Sequence, residues 1–353
     1  VIGGLIHTVV GVSFSRQILI LMSSPENVLP LSTLYLRIFF GGITATLVYN
    51  FGAALLRAKG DTKRPLYILF VAGIINVILN LIFVICFNMN VAGVAFATVL
   101  SQTFAAVCVI FLLCREEDEF HLELKKLKIT KSILVKIIKI GLPAGLQGML
   151  FSFSNVIIQS SVNSFGEIMV AGNSAAQSIE GFVYVAMNCC AQGTLTFSSQ
   201  NIGAGKIDRV KKMAVQAELL EFLLGLILGN LVVFFGRSIL RIYSENPAVI
   251  EAGMTRLKII CTIYFMCGVM DCFANIIRGM GYSLVPMLIT LTAVCGSRII
   301  WLFTVFRIPR FHSCSTIYLS YPISWMIAIL CLLISLVSIF RKDFRQNQTT
   351  CNG

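Results

Sequence analysis

Long apolar runs separated by short polar loops constrain this chain more than any other feature. Ten can be marked in the 353 residues, at about 1–22, 33–56, 65–87, 91–114, 133–164, 169–199, 212–235, 250–277, 286–306 and 317–340. A run of roughly 20 apolar residues wound as an α-helix crosses about 30 Å of hydrocarbon. In that solvent the backbone must satisfy its own hydrogen bonds, which a helix does within one segment. Only 12% of the residues are charged and 57% are hydrophobic, whereas soluble domains carry about 25% charge. So little charge cannot coat a globule of this size. The expected fold is an all-α integral membrane protein.

The second constraint is an internal repeat. Pairing each residue from Val1 to Pro65 with the residue 221 positions later, without a gap, gives 17 identities in 65 pairs. They include Arg16/Arg237, Leu19/Leu240, Ser23/Ser244, Leu36/Leu257, Ala53/Ala274, Arg57/Arg278, Gly60/Gly281 and Pro65/Pro286. Unrelated apolar helices match by composition, but polar and glycine matches in one register point to duplication. Both copies run from the same side of the membrane, so the repeats are parallel, related by an axis along the membrane normal. The segment 133–221 precedes the second copy. By symmetry two further helices are expected ahead of Val1, making twelve in two six-helix bundles.

The net charge of +12 would suggest nucleic acid in a soluble protein. Here the charge falls in alternate loops: Arg57, Lys59, Lys63 and Arg64; the 115–139 cluster; Lys206 to Lys212; Arg278; and Arg341, Lys342 and Arg345. The opposite loops lack Lys and Arg, apart from the one holding Arg307 and Arg310. By the positive-inside rule the basic loops are cytoplasmic, as is the C-terminus. The expected organisation is an incomplete N-terminal lobe at 1–114, a cytoplasmic amphipathic linker at 115–132, a C-terminal lobe at 133–340 and a cytoplasmic tail at 341–353. Arg57, Gly60, Asp61 and Pro65, with Arg278, Gly281 and Pro286, read as structural residues of two equivalent loops. Arg16 and Arg237 sit well inside helices and read as snorkelling or structurally paired.

Ionisable groups within spans are costly and usually face a cavity or a partner. Glu180 stands in Ser178-Ile179-Glu180-Gly181-Phe182, and Asp271 in Met270-Asp271-Cys272; the repeat partner of Asp271 is Asn50. A carboxyl so placed can load and release a proton or hold a cation, or it can pair with an arginine of a neighbouring helix. The fifth and sixth spans carry Gln147, Ser152, Ser154, Asn155, Gln159 and Asn163, then Gln177, Asn188 and Gln192. Gln147, Ser154 and Ser161 are seven apart and share a face. Such a face lines a wet cavity or glues helices together.

Several chemistries have no support. The twelve cysteines form no CxxC pair, and His7, His121 and His312 make no metal spacing. The stretch Gln200 to Lys206 is glycine-rich, but no GKS or GKT follows, and HExxH, GxSxG and Walker patterns do not occur. No enzyme activity, cofactor or nucleic-acid partner is expected.

Five segments carry a family resemblance. Leu56-Arg57-Ala58-Lys59-Gly60-Asp61-Thr62-Lys63-Arg64-Pro65 resembles the loop between the fourth and fifth helices of MATE (multidrug and toxic compound extrusion) transporters. Tyr35-Leu36-Arg37-Ile38, Gly141-Leu142-Pro143, Ser199-Gln200-Asn201-Ile202-Gly203-Ala204 and Tyr321-Pro322-Ile323-Ser324-Trp325 resemble further segments in the right order. The chain is most similar to the bacterial DinF-like branch. The resemblance implies family helices 3–6 and 7–12 in a monomeric, multi-pass antiporter of the cell membrane. Such an antiporter exports small organic cations in exchange for H⁺ or Na⁺. Two departures matter: Phe151 stands where the NorM-like branch carries a cation-site glutamate, and the acid of the DinF-like first helix would precede Val1. Glu180, Asp271, Asn50, Gln147, Asn155, Gln159 and Asn188 are therefore coupling and substrate candidates by burial chemistry. The alternatives are a lipid-linked precursor flippase, for which Arg16, Arg37 and Arg298 offer few cations, or a truncated chain that does not transport.

Overall fold

The structure, a computed structural model, describes residues 1–21, 26 and 28–351, those after Arg341 by backbone alone. Met22, Ser23, Ser24, Pro25 and Asn27, and with them the Ser23 half of the Ser23/Ser244 repeat pair, lie outside the described residues, as do the last two residues of the tail. The chain divides into two compact units, Val1–Lys128 and Ile129–Gly353.

The first unit contains α1 (Ile2–Leu21), α2 (Leu29–Gly41), α3 (Ile43–Lys59), α4 (Lys63–Leu81, running on as a π-helical turn Ile82–Cys86) and α5 (Asn90–Arg115). Its core is small: Tyr49, Ala53, Leu56, Ala72, Ala105, Ala106, Val109 and Leu113. Alanines let α3 and α5 approach closely, as helices must where lipid supplies no hydrophobic drive. The second unit holds α6 (Lys131–Asn163), α7 (Glu167–Gly203), α8 (Ile207–Tyr243), α9 (Pro247–Ile260), α10 (Phe265–Gly279), α11 (Leu284–Ile289), a π-helical stretch Thr290–Gly296, α12 (Ser297–Phe303) and α13 (Cys314–Cys351). α7 packs against α8, α9 and α10, and the core runs from Val183 and Met187 to Ile276, Ile277, Ile317 and Trp325.

Among the described residues seven helices are long and apolar enough to cross a membrane, or nine if each bent pair is one span. The ten expected spans all recur as helices. The sixth, α7, is not among the nine, because Asn173, Gln177, Glu180, Asn188 and Gln192 dilute its apolar character. The second and eighth expected spans are each broken. α2 meets α3 at 46°, and α9 meets α10 at 49°. Those two breaks occupy equivalent places in the repeat. In the segment expected as a linker, the described residues form one short 3₁₀ turn, Leu124–Lys126.

The repeat is equally visible in the loops. Gly60 has φ +99° and Gly281 φ +95°. The Gly60 N–H donates to Arg57 O and Asp61 N–H to Leu56 O; the Gly281 N–H donates to Arg278 O and Tyr282 N–H to Ile277 O. Each glycine thus closes a helix with the same left-handed cap, a conformation glycine adopts without steric cost. Beyond the cap the copies diverge. The Asp61 carboxylate accepts from the Lys63 and Arg64 amides at 3.1 Å, capping α4, and pairs with the Arg64 side chain. Lys59 and Arg64 both grip Glu116 at the end of α5, and Lys59 also reaches Asp118. Hydrogen bonds from Lys59 and then Arg64 hold Glu116 below the usual carboxylate range, and Lys59 does the same to Asp118. The basic loop is therefore also a fastener. Arg57 itself is exposed.

Candidate functional site

The polar residues of the second unit fall on three helix stripes. On α7, Asn173, Gln177, Glu180, Tyr184, Asn188 and Gln192 follow at spacings of three or four, so they share one face. On α10, Asp271, Asn275 and Arg278 do the same. On α6 the stripe is Gln147, Phe151, Asn155 and Gln159. α7 folds as a helix despite its polar load because its other positions are small or apolar and pack on α8 and α9.

Gln147, Asn188 and Asp271 line one cavity of about 330 Å³, together with Ser152, Tyr184, Gln192 and Arg278. Asn155 and Glu180 line a neighbouring cavity of about 270 Å³, with Arg256, Tyr264, Tyr321 and Trp325. Phe151 and Tyr184 belong to both walls. In the first cavity Asn188 Nδ2 donates to the Tyr184 hydroxyl at 3.3 Å, and that hydroxyl is within hydrogen-bonding reach of Asp271. Arg278 donates to Asn275 Oδ1 at 2.6 Å and to Gln147 Oε1 at 2.7 Å. Arg278 is therefore more than the loop residue its position suggests. The cap turns its side chain inward, where it ties α10 to α6.

The second cavity is organised by an ion pair. Arg256 Nε donates to Glu180 Oε1 at 2.8 Å and Nη2 to Oε2 at 2.7 Å, a bidentate fork. Nη1 donates to Asn173 Oδ1 at 2.9 Å, and the Tyr318 hydroxyl donates to the same oxygen at 3.1 Å. Asn173 passes the chain on to Gln159 Oε1 at 2.8 Å, and Gln159 to Asn163 at 2.9 Å. Glu180 is 4% exposed and Arg256 3%. The geometry favours the pairing alternative for Glu180, because its charge is already met by two charge-assisted bonds in a nearly dry site. Arg298, fully buried, is held by neutral groups. Its Nε donates to Ser324 Oγ at 3.0 Å and Nη1 to Asn155 Oδ1 at 3.2 Å, and its guanidinium lies 4.2 Å from the Tyr321 ring centroid.

Six of the seven candidates thus cluster in the second unit, while Asn50 is exposed on α3 of the first. Ser154 is buried and borders neither of these two cavities. Arg237 is paired, with Glu251 at 3.0 Å, on an exposed face. Sequence reasoning missed Arg256, whose partner lies 76 residues away, so no local spacing could reveal the pair. It also missed Glu218 and Glu221 on α8, whose carboxylate oxygens are buried without a well-aligned donor. Their i, i+3 spacing inside an apolar run was the available signal.

The sequence and the fold have relatives. A 31% identical protein over 281 residues is “Probable multidrug resistance protein YpnP” of Bacillus subtilis (strain 168); the match takes in 80% of this chain and 63% of YpnP. “Probable multidrug resistance protein YoeA” of the same organism is 26% identical over 93% of this chain and 72% of its own length. The chain thus spans less than two thirds of YpnP. Among solved structures, “a multidrug resistance MATE family transporter of the MOP superfamily” superposes with a TM-score of 0.89 at 18% identity, over 98% of this chain and 77% of that one. The family model MatE matches residues 1–82 and 143–304, more than half the chain. The two matches end at positions separated by the repeat offset to within one residue. The chain belongs to the MatE family.

Proposed function

We propose that the protein is a secondary antiporter that exports organic cations in exchange for H⁺ or Na⁺, with Asp271 as the carboxyl facing the substrate path. The observation that carries this reading is the 330 Å³ cavity, where one acid from α10 meets Tyr184, Asn188 and Gln147 against aromatic Phe151. A cavity with one acid, neutral polar groups and an aromatic face suits a lipophilic cation: the ring stacks on it and the acid answers its charge. The names of YpnP and of “Multidrug export protein MepA” of Staphylococcus aureus (strain MRSA252), 22% identical over 84% of this chain, support the same reading. A basic-loop-inside topology with the C-terminus in the cytoplasm accompanies it.

Arg278 in the same cavity favours a second reading, a flippase for lipid-linked precursors whose headgroups are anionic. Proteoliposomes separate the two. The expected result is gradient-driven movement of ethidium that D271N abolishes, with either a proton or a sodium gradient as the drive. Ethidium transport unaffected by D271N sinks the assignment of Asp271, and headgroup translocation without ethidium movement sinks the exporter.

A further inference from the structure

Three carboxyls converge where α8 meets α10, apart from the Glu180–Arg256 pair. Glu221 is fully buried. A Cβ built on Gly268 of α10 would stand 3.4 Å from Glu221 Oε2, so the carboxyl rests against an α10 position with no side chain. Asp271 is three residues further on the same face of α10 and borders the cavity. Glu218 is one turn from Glu221 on α8 and has Cys272 of α10 beside it. Neither carboxyl meets a well-aligned donor; only the Ala191 amide beside Glu221 and the Cys272 thiol beside Glu218 come within reach. The arginines of this unit's interior are engaged elsewhere: Arg256 with Glu180 and Asn173, Arg278 with Asn275 and Gln147, Arg298 with Ser324 and Asn155.

A carboxylate left without well-aligned donors in a dry site loses its hydration and gains little in exchange. Such a group is stable only when its charge is neutralised on the spot. The surroundings say by what. The groups facing Glu221 are Cys190 and the Ala191 backbone from α7, and Cys267, Gly268, Asp271 and Cys272 from α10, with Glu218 on its own helix. Met187 Sδ lies 3.1 Å from the same Gly268 Cβ position. The sulfurs of Cys190, Cys267, Cys272 and Met187 make a poor shell for a hard cation such as Na⁺, which takes oxygen ligands. Among the described residues no cluster of three metal-ligating side chains is arranged to hold an ion. A proton needs only one oxygen.

We propose that Glu221 is a proton-carrying residue of the transport cycle, exchanging its proton with the cavity through Asp271 and with Glu218 on the far side. The inference rests on the exporter reading and deepens it by assigning H⁺ as the coupling ion. In the loaded state Glu221 is a neutral carboxylic acid. When a cation or water enters beside Asp271, the proton passes from one carboxyl oxygen to the other and leaves through the cavity. Only O–H bonds form and break, so no co-reactant is required. Gly268 leaves room for the Glu221 carboxyl against α10: a Cβ there would touch it at 3.4 Å and crowd Met187 Sδ at 3.1 Å, and a larger side chain would compete for the same space.

The test uses the protein in liposomes with two readouts. Infrared difference spectra across a pH titration should show a carboxylic-acid carbonyl band that E221Q removes and D271N retains. Movement of ethidium driven by a pH gradient should be lost in E221Q while ethidium binding persists. A band undiminished in E221Q, or pH-driven ethidium movement that E221Q leaves intact, overturns the proposal, as does movement driven by a sodium gradient alone. Wild-type protein supplies a check independent of variant folding. Dicyclohexylcarbodiimide, which modifies protonated carboxyls in apolar sites, should label Glu221 in peptide mass maps, with labelling falling as pH rises. Absence of that label refutes the assignment. If ethidium does not move in wild type yet the band and the label behave as expected, the proton site stands and organic-cation export falls.

Discussion

Breaking the Glu180–Arg256 pair from one side and then from both distinguishes a structural acid from a transporting one. The pair is almost water-free, and its two short bonds are joined by Asn173 and Tyr318. Removing one partner strands a buried charge, at a cost of about 3–5 kcal/mol. Replacing both by apolar residues of similar size removes two desolvation penalties together with the attraction, so the net change is small or favourable. At about 2–4 °C per kcal/mol for a unit of this size, E180A or R256A should lower the unfolding temperature by about 6–20 °C. E180L with R256M should recover most of that loss. The molecule carries its own reporter. Cys261, Cys267, Cys272, Cys295 and Cys314 are free and buried, so a maleimide that fluoresces on thiol attachment follows unfolding in detergent. Single variants within a degree or two of wild type, or a double variant as unstable as the sum of the singles, would refute the argument. If E180Q unfolds at the wild-type temperature and still loses gradient-driven transport, Glu180 is a coupling residue after all.

Other expectations rest on separate features. A Cβ on Gly229 would stand 2.2 Å from the Cys261 carbonyl oxygen, so G229A should cost about 1–3 kcal/mol through overpacking. G73A meets nothing within 4 Å and should be neutral or stabilising by about 0.5–1 kcal/mol in the same thiol assay. Glu116 is held low by Lys59 and Arg64, so its contribution is present above the ordinary glutamate value of 4.5 and fades as pH falls below it. Limited proteolysis of residues 57–65 should accelerate over that acid range, and E116Q should cleave fast at neutral pH too. R278Q removes a cation from the cavity. At roughly 8–16 Å and an effective dielectric near 20, that change is worth about 1–2 kcal/mol. Ethidium binding, followed by fluorescence anisotropy, should tighten by that amount, whereas an anionic headgroup should bind more weakly.

What could be read from the chain follows the range of the physics. Apolar runs act locally, so the helices were legible, and a duplication repeats its letters, so Gly60 and Gly281 announced their shared cap. The loop fastener was half-legible. The charges were plain, but Glu116 lies 52 residues from Arg64 and meets it only after α4 and α5 fold back. Arg256 was illegible for the same reason, being one cation among many until α9 lies on α7. The breaks in α2–α3 and α9–α10 left no proline to mark them. Glu218 and Glu221 follow closely on Lys211 and Lys212 in sequence, where acids read as part of a polar helix entry. Only the fold shows α10 covering them.

The π-helical stretch at Thr290–Gly296 gives one of these placements an unusual dependence on chain length. A wider turn holds one residue more than a regular turn. Every side chain beyond it is thus rotated by about 100° from where an uninterrupted α-helix would aim it. Arg298 begins two residues after that stretch and is fully buried. Deleting a single residue between 290 and 296 would let the helix close its regular ladder and swing Arg298 away from Ser324 and Asn155. The surplus residue therefore acts as an angular spacer: its value lies in being counted, whatever its side chain.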